Sequence, residues 1–171
     1  MNGIMRVVAA AMLLGVPAAL AQDNSLPRAT LEDAFKKVEC TVPLEEAASS
    51  PESFDLGGGK KLFVVNCWRA AYQSGAIVLV TDGAGPARLL TFQGWNGKKF
   101  EIMQSLSEAD FDPEKKIIAS FHKGRGIGDC GSMGEWAWTG NDFKLKTYFF
   151  KEKCDGQPFN NVRRWQIFPR R

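Results

Sequence analysis

From Leu62 to the C-terminus, the sequence is a series of short apolar segments separated by clusters of Gly, Asn, Asp and Pro. Two of them, Leu62–Val65 and Ala76–Val80, are continuous apolar runs rich in β-branched residues, which is typical of strands buried on both faces. Further strands are predicted at Leu89–Phe92, Phe100–Met103, Ile117–Phe121, Glu135–Trp138, Phe143–Phe150 and Trp165–Phe168. Because no helix intervenes, the pattern predicts a mainly β fold of antiparallel β-meanders, forming a sandwich or a partly closed barrel.

One short N-terminal helix is predicted before the first strand. Thr30 has the chemistry of an N-cap, and acidic residues follow it in the first turn. An apolar stripe at helical spacing continues the pattern: Leu31, Phe35 and Val38. We therefore predict a helix that ends near Cys40, preceded by a loose N-terminus at 22–29, and a further helical turn at 45–50.

The first 21 residues have the composition of a cleaved export signal. Arg6 precedes an apolar run, Val7–Leu20, and Ala19-Leu20-Ala21 supplies the small-x-small pattern that signal peptidase recognises. The run is too short to span a bilayer, and no basic flank follows it. The sequence therefore predicts cleavage before Gln22, no transmembrane segment after cleavage, and a protein that is periplasmic or secreted.

The mature chain, residues 22–171, has the length of a single domain. The full sequence contains 22 Lys and Arg against 19 Asp and Glu, a net charge of +3, and the leader removes one of the arginines. Nucleic-acid-binding domains carry a much more basic surface. We therefore expect no nucleic-acid partner, and the sequence offers no pattern for a cofactor.

Four cysteines remain after the leader: Cys40, Cys67, Cys130 and Cys154. In an oxidising compartment, an even number of cysteines predicts disulfides, and four cysteines allow three connectivities. We predict Cys40–Cys67 and Cys130–Cys154, because these pairs join sequence neighbours and close loops of similar length. A zinc site is disfavoured because the chain has no short C-x-x-C spacing.

A weak internal repeat indicates two similar meanders packed together. The segments Trp95–Ile102 and Trp138–Leu145 share the pattern W-x-G-x-x-F-x-[Ile/Leu]. Upstream of each copy lies a Phe-Asp pair followed by two lysines and an aliphatic strand: Phe54-Asp55 and Phe111-Asp112. Two copies cannot close a propeller, so the repeat favours two packed meanders.

In the second copy of the repeat, a turn at Thr139–Asp142 places Trp138 opposite Phe143 and Trp136 opposite Leu145. These four side chains then share one face of the hairpin. Two tryptophans on one face form either part of the core or a platform for stacking carbohydrate. Their apolar neighbours favour the core.

A glycine-rich stretch carries two enzyme-like patterns. Gly126–Gly131 matches the dinucleotide fingerprint G-x-G-x-x-G, and its last four residues resemble the nucleophile loop of chymotrypsin-like cysteine proteases. A dinucleotide site needs a helix directly after the glycines, whereas a strand is predicted here. A cysteine protease needs a histidine base beside Cys130. In the chymotrypsin-like geometry that histidine comes from the other barrel, far earlier in the sequence, whereas the single histidine here, His122, lies only eight residues before Cys130. Cys154 is also available as a disulfide partner for Cys130. Neither pattern is favoured.

The favoured interpretation of these glycines is structural. Glycine adopts positive φ at little cost, which suits successive turns at positions 124, 126, 128 and 131. The predicted hairpin register places Cys130 opposite position 151, three residues short of Cys154. A disulfide then needs an added bend, which we place at Gly128.

The same stretch also supports a binding hypothesis. Successive backbone N–H groups with two basic side chains suit an anion-binding nest. The candidate binding residues are Lys123, Gly124, Arg125, Gly126 and Gly128. No catalytic residue and no metal ligand is predicted.

Several segments carry a family resemblance: Phe121–Gly131, Trp136–Gly140, Phe143–Leu145 and Cys154–Gly156. Three upstream segments add to it: Cys67, Ala71–Gln73 and Phe111–Pro113. Together they resemble domain of unknown function 1176, a bacterial family of exported proteins, over about Leu62–Gly156. The resemblance implies an exported protein of similar architecture and supplies no catalytic residue.

The sequence therefore favours an exported, non-catalytic binding or interaction module of the bacterial cell envelope, whose ligand or protein partner it does not specify. The alternative is a periplasmic hydrolase that uses Cys130 with His122, or a carboxylate pair formed by Asp129 and Glu135.

Overall fold

A computed structural model describes residues 26–82, 86–159 and 162–169 of the chain. Two helices come first among these residues, α1 (Arg28–Val38) and α2 (Leu44–Ser49). The predicted leader, residues 1–21, lies outside the described residues. No helix within the described ranges is long and apolar enough to cross a membrane.

Helix α1 begins earlier than its predicted N-cap, Thr30. Pro27 holds the N-cap position with φ of −60°, the value that the proline ring favours at a helix start. Arg28 opens the helix and forms an ion pair with Glu45 of α2. The prediction of a loose segment at 22–29 was therefore wrong from position 28 onward, since proline chemistry and a tertiary ion pair order this end of the helix.

The strands of the described residues are mostly short: β1 (Glu52–Gly57), β2 (Lys60–Arg69), β3 (Ser74–Thr81), β4 (Arg88–Leu89), β5 (Phe92–Trp95), β6 (Phe100–Met103), β7 (Leu106–Ser107), β8 (Asp110–Asp112), β9 (Ile117–Lys123), β10 (Gly131–Trp138), β11 (Phe143–Lys151) and β12 (Gln166–Phe168). A 3₁₀ turn, Val162–Trp165, precedes β12. All strand pairs are antiparallel. The predicted mainly β class is confirmed.

The strands form two larger sheets and one separate hairpin. Sheet 1 has the order β1-β2-β3-β4, and β7 also pairs with β3. Sheet 2 has the order β12-β11-β10-β9-β8, while β5 and β6, among the strands that the structure describes, pair only with each other. Neither sheet closes into a barrel within the described residues, and the two sheets pack on each other through a shared core, as in a sandwich.

Strands β2 and β3 form the middle layer and are buried on both faces, as their continuous apolar runs predicted. One face packs against sheet 2 in a cluster that includes Leu62, Val64, Val78, Ile118 and Trp136. The other face packs against the two helices in a cluster that includes Leu31, Phe35, Phe63, Val65 and Ile77. Because successive side chains of a strand point to opposite faces, one apolar run supplies both cores.

The Cys40–Cys67 disulfide joins the helical layer to sheet 1, and the predicted pairing is confirmed. The two Cα atoms are 4.6 Å apart. Cys67 lies at a bulge in β2, where the register with β3 shifts between Asn66 and Trp68. Its carbonyl also accepts a hydrogen bond from the N–H of Thr41, 2.8 Å away. The connection after α1 is therefore held by covalent and hydrogen bonds.

The internal repeat corresponds to two similar hairpins. Trp95 lies opposite Phe100 across β5 and β6, with ring centroids 5.1 Å apart. Trp138 lies opposite Phe143 across β10 and β11, with ring centroids 5.2 Å apart. The phenylalanines of the two upstream Phe-Asp pairs also pack together, with centroids 5.0 Å apart. The two copies therefore meet in the core that the two sheets share.

Candidate functional site

The glycine loop, residues 124–130, connects β9 to β10 at one end of sheet 2. The chain leaves the loop directly as strand β10, which begins at Gly131. A dinucleotide site requires a helix N-terminus at this point, because the free N–H groups of the first helical turn bind the pyrophosphate. The strand confirms that the glycine fingerprint has another role.

Two glycines determine the path of the loop backbone. Gly128 has φ of +66° and Gly131 has φ of +130°, conformations that residues with a side chain rarely adopt. A Cβ atom on Gly131 would lie 1.9 Å from the carbonyl oxygen of His122 on the neighbouring strand. The bend predicted at Gly128 is confirmed, and Gly131 is required by close approach of two backbones.

The prediction of positive φ was wrong for Gly124 and Gly126, since neither residue has positive φ. The chain reverses at Gly128 and Gly131 and needs no left-handed residue before them. At Gly124 a Cβ atom would lie 2.8 Å from the Cys130 sulfur, so close packing on the disulfide favours glycine there. At Gly126 a Cβ atom would make an ordinary 3.5 Å contact with the ring of Tyr72.

A bulge in β11 contributes to the offset between the two cysteines of sheet 2. Trp138 lies opposite Phe143, as predicted. Further along the hairpin the register shifts by one residue, so that Gly131 lies opposite Lys151. The prediction that Cys130 faces position 151 was therefore wrong by one residue, because a bulge leaves no mark in the alternation of the sequence.

The Cys130–Cys154 disulfide, also predicted, joins the end of the glycine loop to the segment after β11. The two Cα atoms are 4.8 Å apart, and Cys130 is fully buried. The carbonyl of Cys130 accepts a hydrogen bond from the N–H of Gly124 at 2.9 Å, which closes the base of the loop.

Asp129 is a buried carboxylate beside this disulfide, with 3% of its surface exposed. It accepts hydrogen bonds from Nε and Nη2 of Arg125 at 2.7 and 2.6 Å, and from the N–H of Gly156 at 2.6 Å. The Arg125 guanidinium, helped by the Gly156 N–H, holds the pKa of Asp129 well below its usual range, outweighing the opposite effect of burial. Ionised Asp129 therefore ties the loop to the C-terminal segment.

A second ion pair fixes the same C-terminal segment. Lys151 is 1% exposed, and its ammonium donates to the Asp155 carboxylate at 2.6 Å and to the Gln157 carbonyl at 2.7 Å. The hydrogen bond from Lys151 lowers the pKa of Asp155. We call the Cys130–Cys154 disulfide, the Arg125–Asp129 pair and the Lys151–Asp155 pair, taken together, the clamp.

The other side of the loop is bound to the β2–β3 turn through Lys123, a predicted binding residue, and through Tyr72 and Gln73, for which no functional role was predicted. The carboxamide of Gln73 pairs with both backbone groups of Lys123: Oε1 accepts at 2.9 Å and Nε2 donates at 3.3 Å. The Lys123 ammonium donates to the Tyr72 carbonyl at 3.2 Å and lies 3.8 Å from the Glu108 carboxylate. The family resemblance of Ala71–Gln73 was the one signal in the sequence that these residues matter.

Two large hydrophobic side chains are exposed where the turn and the loop meet. Tyr72 is 45% exposed, and its ring packs on Gly126 of the loop. Ile127, which follows Gly126 in the chain, is 72% exposed. Among the described residues, one other large hydrophobic side chain is as open to solvent, Ile102 on β6. We call the surface formed by Tyr72, Arg125, Gly126 and Ile127 the loop face.

A family model described as "Protein of unknown function (DUF1176)" matches residues 5–168. The chain belongs to this family. Among curated proteins it is similar to "Uncharacterized protein YpfG" of Escherichia coli (strain K12), with 29% identity over 106 residues. That match covers 58% of this chain and 30% of the relative, so it spans less than a third of the relative's length. No solved structure matches the chain significantly.

In this DUF1176 chain, Cys130 and His122 have other partners. The Cys130 sulfur is bonded to Cys154, and the described residues contain no free cysteine. Nδ1 of His122 lies 3.0 Å from the hydroxyl oxygen of Ser107 on β7, at hydrogen-bond distance. The thiolate that a Cys130 nucleophile needs is absent while the disulfide is intact.

Asp129 and Glu135 also bind different groups. Asp129 is bonded to Arg125, whereas the Glu135 carboxylate accepts a hydrogen bond from the hydroxyl of Thr147 at 3.0 Å. Asp129 and the two sulfurs of the clamp lie within 4.8 Å of one another, a grouping that suits a metal ion by type. The sulfurs are bonded to each other, however, and metals bind thiolates rather than disulfides.

The two tryptophans of β10 differ in burial. Trp136 is 1% exposed, its Nε1 donates to the Gln93 carbonyl at 3.1 Å, and its ring contacts Phe92 with centroids 5.4 Å apart. Trp138 is half-buried and packs against the core beside Phe143. The core prediction is confirmed for Trp136, and Trp138 lies at the edge of the same core.

Proposed function

We propose that this DUF1176 protein is an exported, non-catalytic binding module of the bacterial cell envelope, and that it contacts a protein partner through the loop face. The observation that carries the proposal is the exposure of Tyr72 and Ile127 together, where the β2–β3 turn packs on the glycine loop. Exposed hydrophobic side chains that occur together, rather than singly, are typical of interaction surfaces.

Export is supported by the leader pattern of residues 1–21 and by the disulfides. The Cys40–Cys67 bond belongs to the core between the helices and sheet 1, and the Cys130–Cys154 bond joins a buried cysteine, 1% exposed, to an exposed one. Structural disulfides form and persist in oxidising compartments, such as the bacterial periplasm.

The rigidity of the loop favours binding. The clamp holds one side of the glycine loop, and the hydrogen bonds between Gln73 and Lys123 hold the other. A surface that is ordered before it binds loses little conformational entropy on association. The loop face therefore presents its two apolar side chains without a further ordering step.

The electrostatics of the loop favour an apolar contact over an anion. The Arg125 guanidinium is committed to Asp129, and the N–H groups of Gly124 and Gly128 donate to backbone carbonyls within the loop. An anion would compete with Asp129 for the same guanidinium. We therefore place the partner's apolar side chain between Tyr72 and Ile127, with the exposed edge of Arg125 at the polar rim.

Site-specific photo-cross-linking tests this surface in cells. A photoreactive phenylalanine analogue replaces Tyr72 or Ile127 in the full chain, and the matched control carries it at Ile102, which is 64% exposed on β6. We expect one discrete protein adduct of the same mass from positions 72 and 127, recovered from the periplasmic fraction, and none from position 102. Ile127→Ser should reduce the adduct formed from position 72.

Three results would contradict the proposal. Indistinguishable adduct patterns at all three positions would show that the loop face has no specific partner. A protein found in the cytoplasm with residues 1–21 still attached would contradict the proposed export. Labelling of Cys130 by a thiol reagent in the native protein would favour the hydrolase alternative.

A further inference from the structure

A cavity of about 200 Å³ lies between β7, sheet 2 and the β5–β6 hairpin. No residue of the loop face lines it, so it is a second site that goes beyond the proposed function. Its polar lining consists of four serines, a histidine and a tyrosine: Ser105, Ser107, Ser120, Ser132, His122 and Tyr148.

The cavity exists because the inward face of sheet 2 changes character along its strands. Alternation places Ile118, Ser120 and His122 on one face of β9, and Ser132 and Trp136 on the matching face of β10. Ile118 and Trp136 belong to the shared core, whereas the three residues nearer the glycine loop are polar. A sandwich gains stability from apolar residues at inward positions, so this polar end is not explained by the fold.

Part of the polar lining is already organised by hydrogen bonds. The Ser107 hydroxyl lies 3.0 Å from Nδ1 of His122, and the Ser120 hydroxyl donates to the Ser107 carbonyl at 2.7 Å. Ser107 is buried, and His122 is exposed, so His122 lies at the mouth of the cavity. These bonds fix the wall on which a ligand would rest.

The Tyr148 hydroxyl is a polar group of the lining that has no hydrogen-bond partner among the described residues. Tyr148 is only 3% exposed, and its hydroxyl makes no hydrogen bond to any residue in the described ranges. In those ranges, every side-chain oxygen that is sealed from solvent has a hydrogen-bond partner. Because the Tyr148 hydroxyl has none, it is not sealed and must reach open space. The Tyr148 side chain lines the cavity, and we infer that the cavity is the space its hydroxyl reaches.

The remaining wall is apolar and uncharged. Trp95 and Met103 of the hairpin line the cavity, and Trp95 is held by an edge contact with Phe100. Asp, Glu, Lys and Arg are absent from the described lining. A ligand that matches this wall is neutral, carries groups that both donate and accept hydrogen bonds, and has an apolar face.

We propose that this cavity binds one neutral sugar ring, either a free monosaccharide or the terminal residue of an envelope glycan. Ring hydroxyls pair with the serine and tyrosine hydroxyls, since both partners donate and accept. The C–H face of the ring packs against Trp95 and Met103. The cavity is smaller than the pockets that hold drug-sized ligands, which limits the occupant to a single ring.

Titration of the purified protein, with both disulfides intact, tests the site by two-dimensional amide NMR. The probes are glucose, galactose, mannose and N-acetylglucosamine, with glucuronate as the charged comparison. We expect at least one neutral ring to shift the amides of β7, β9 and β10 at concentrations up to about 50 mM, and glucuronate to bind at least tenfold more weakly. Neutral oligosaccharides that end in the same ring then distinguish a glycan from a free sugar.

Tyr148→Phe removes one hydroxyl and keeps the ring, and Ser53→Ala removes an exposed hydroxyl on β1 as the control. We expect Tyr148→Phe to weaken binding about tenfold and Ser53→Ala to leave it unchanged. The proposal is overturned if no neutral ring shifts these amides, or if Tyr148→Phe binds as tightly as the parent. Covalent labelling of Ser107 by a fluorophosphonate would also overturn it, because it would identify a reactive serine. None of these results alters the cross-links from the loop face, so the two proposals fail separately.

Discussion

Gly128→Ala is the most direct test of how the glycine loop is built, and Gly126→Ala is its matched control. Both changes add one methyl group to the same loop, two residues apart. Gly128 has φ of +66°, while Gly126 is not in the positive-φ region. The added Cβ atom meets its nearest neighbour at 3.4 Å in the first variant and 3.5 Å in the second, so steric contact is nearly equal.

The expected difference in the free energy of unfolding comes from the backbone. An L-residue in the left-handed region loses about 1–2 kcal/mol, which is the expected cost of Gly128→Ala. Alanine at a position with ordinary φ stabilises by about 0.4–1 kcal/mol, because it restricts the unfolded chain. The two variants should therefore differ by about 1.5–3 kcal/mol, or about 3–12 °C in Tm for a domain of this size.

Thermal unfolding followed by circular dichroism, with a thiol assay to confirm both disulfides, measures this difference. Gly131→Ala extends the series, since its Cβ atom would lie 1.9 Å from a backbone oxygen that cannot move aside. We expect that variant to misfold or to lose the Cys130–Cys154 bond. Equal Tm values for Gly128→Ala and Gly126→Ala would refute the assignment of the bend to Gly128.

Four further predictions follow from the clamp and the core. Trp136→Ala should cost about 3–5 kcal/mol in chemical denaturation, and Trp138→Ala less because that ring is half-buried; equal stability of both variants with the parent, together with loss of glycan binding, would restore the platform interpretation. Replacing Cys130 and Cys154 together by serine should cost about 3–4 kcal/mol in the same assay, from the chain entropy of the loop that the bond closes. The pKa of Asp129 is lowered in the fold, so its ionised form stabilises the protein at pH values above the usual aspartate pKa near 4. This contribution disappears as the pH falls, so Tm should drop more steeply below about pH 4 in the parent than in Asp129→Asn. Arg125→Ala should lower Tm, because it leaves the buried Asp129 carboxylate without its cation, whereas Lys36→Ala on α1 should not; an unchanged Tm for Arg125→Ala would contradict the clamp.

The sequence predicted the parts of the fold that depend on local pattern. The apolar runs of β2 and β3 identified the middle layer, and the repeat identified the hairpins that pair Trp138 with Phe143 and Trp95 with Phe100. Strand β1 was missed, because five of its six residues are polar, exposed or only half-buried. Its position at the edge of sheet 1 requires only that one side of the backbone is paired.

The candidate site was only partly predictable. Both disulfides and the bend at Gly128 followed from cysteine spacing and hairpin register. The role of Arg125 could not be predicted. An arginine in a glycine-rich loop is expected to be exposed, and the sequence does not show that Asp129 is buried beside it. Local sequence patterns likewise contain no sign that Gln73 binds the backbone of Lys123, fifty residues away.

The sequence by itself therefore determined the class of fold, the disulfide pairs and the two-faced burial of the central strands. The fold class and the burial of the strands follow from periodicity, which acts within a few residues of the chain, whereas the disulfide pairs follow from the order and spacing of four cysteines. Only the tertiary structure decided the partner of Arg125, the apolar loop face around Tyr72 and the polar cavity at Tyr148. The loop face and the cavity depend on contacts between segments far apart in sequence, which exist only once the sheets have packed. Arg125 and Asp129 are only four residues apart, but the burial of Asp129 beside the C-terminal segment, where it also binds the N–H of Gly156, likewise requires the folded structure.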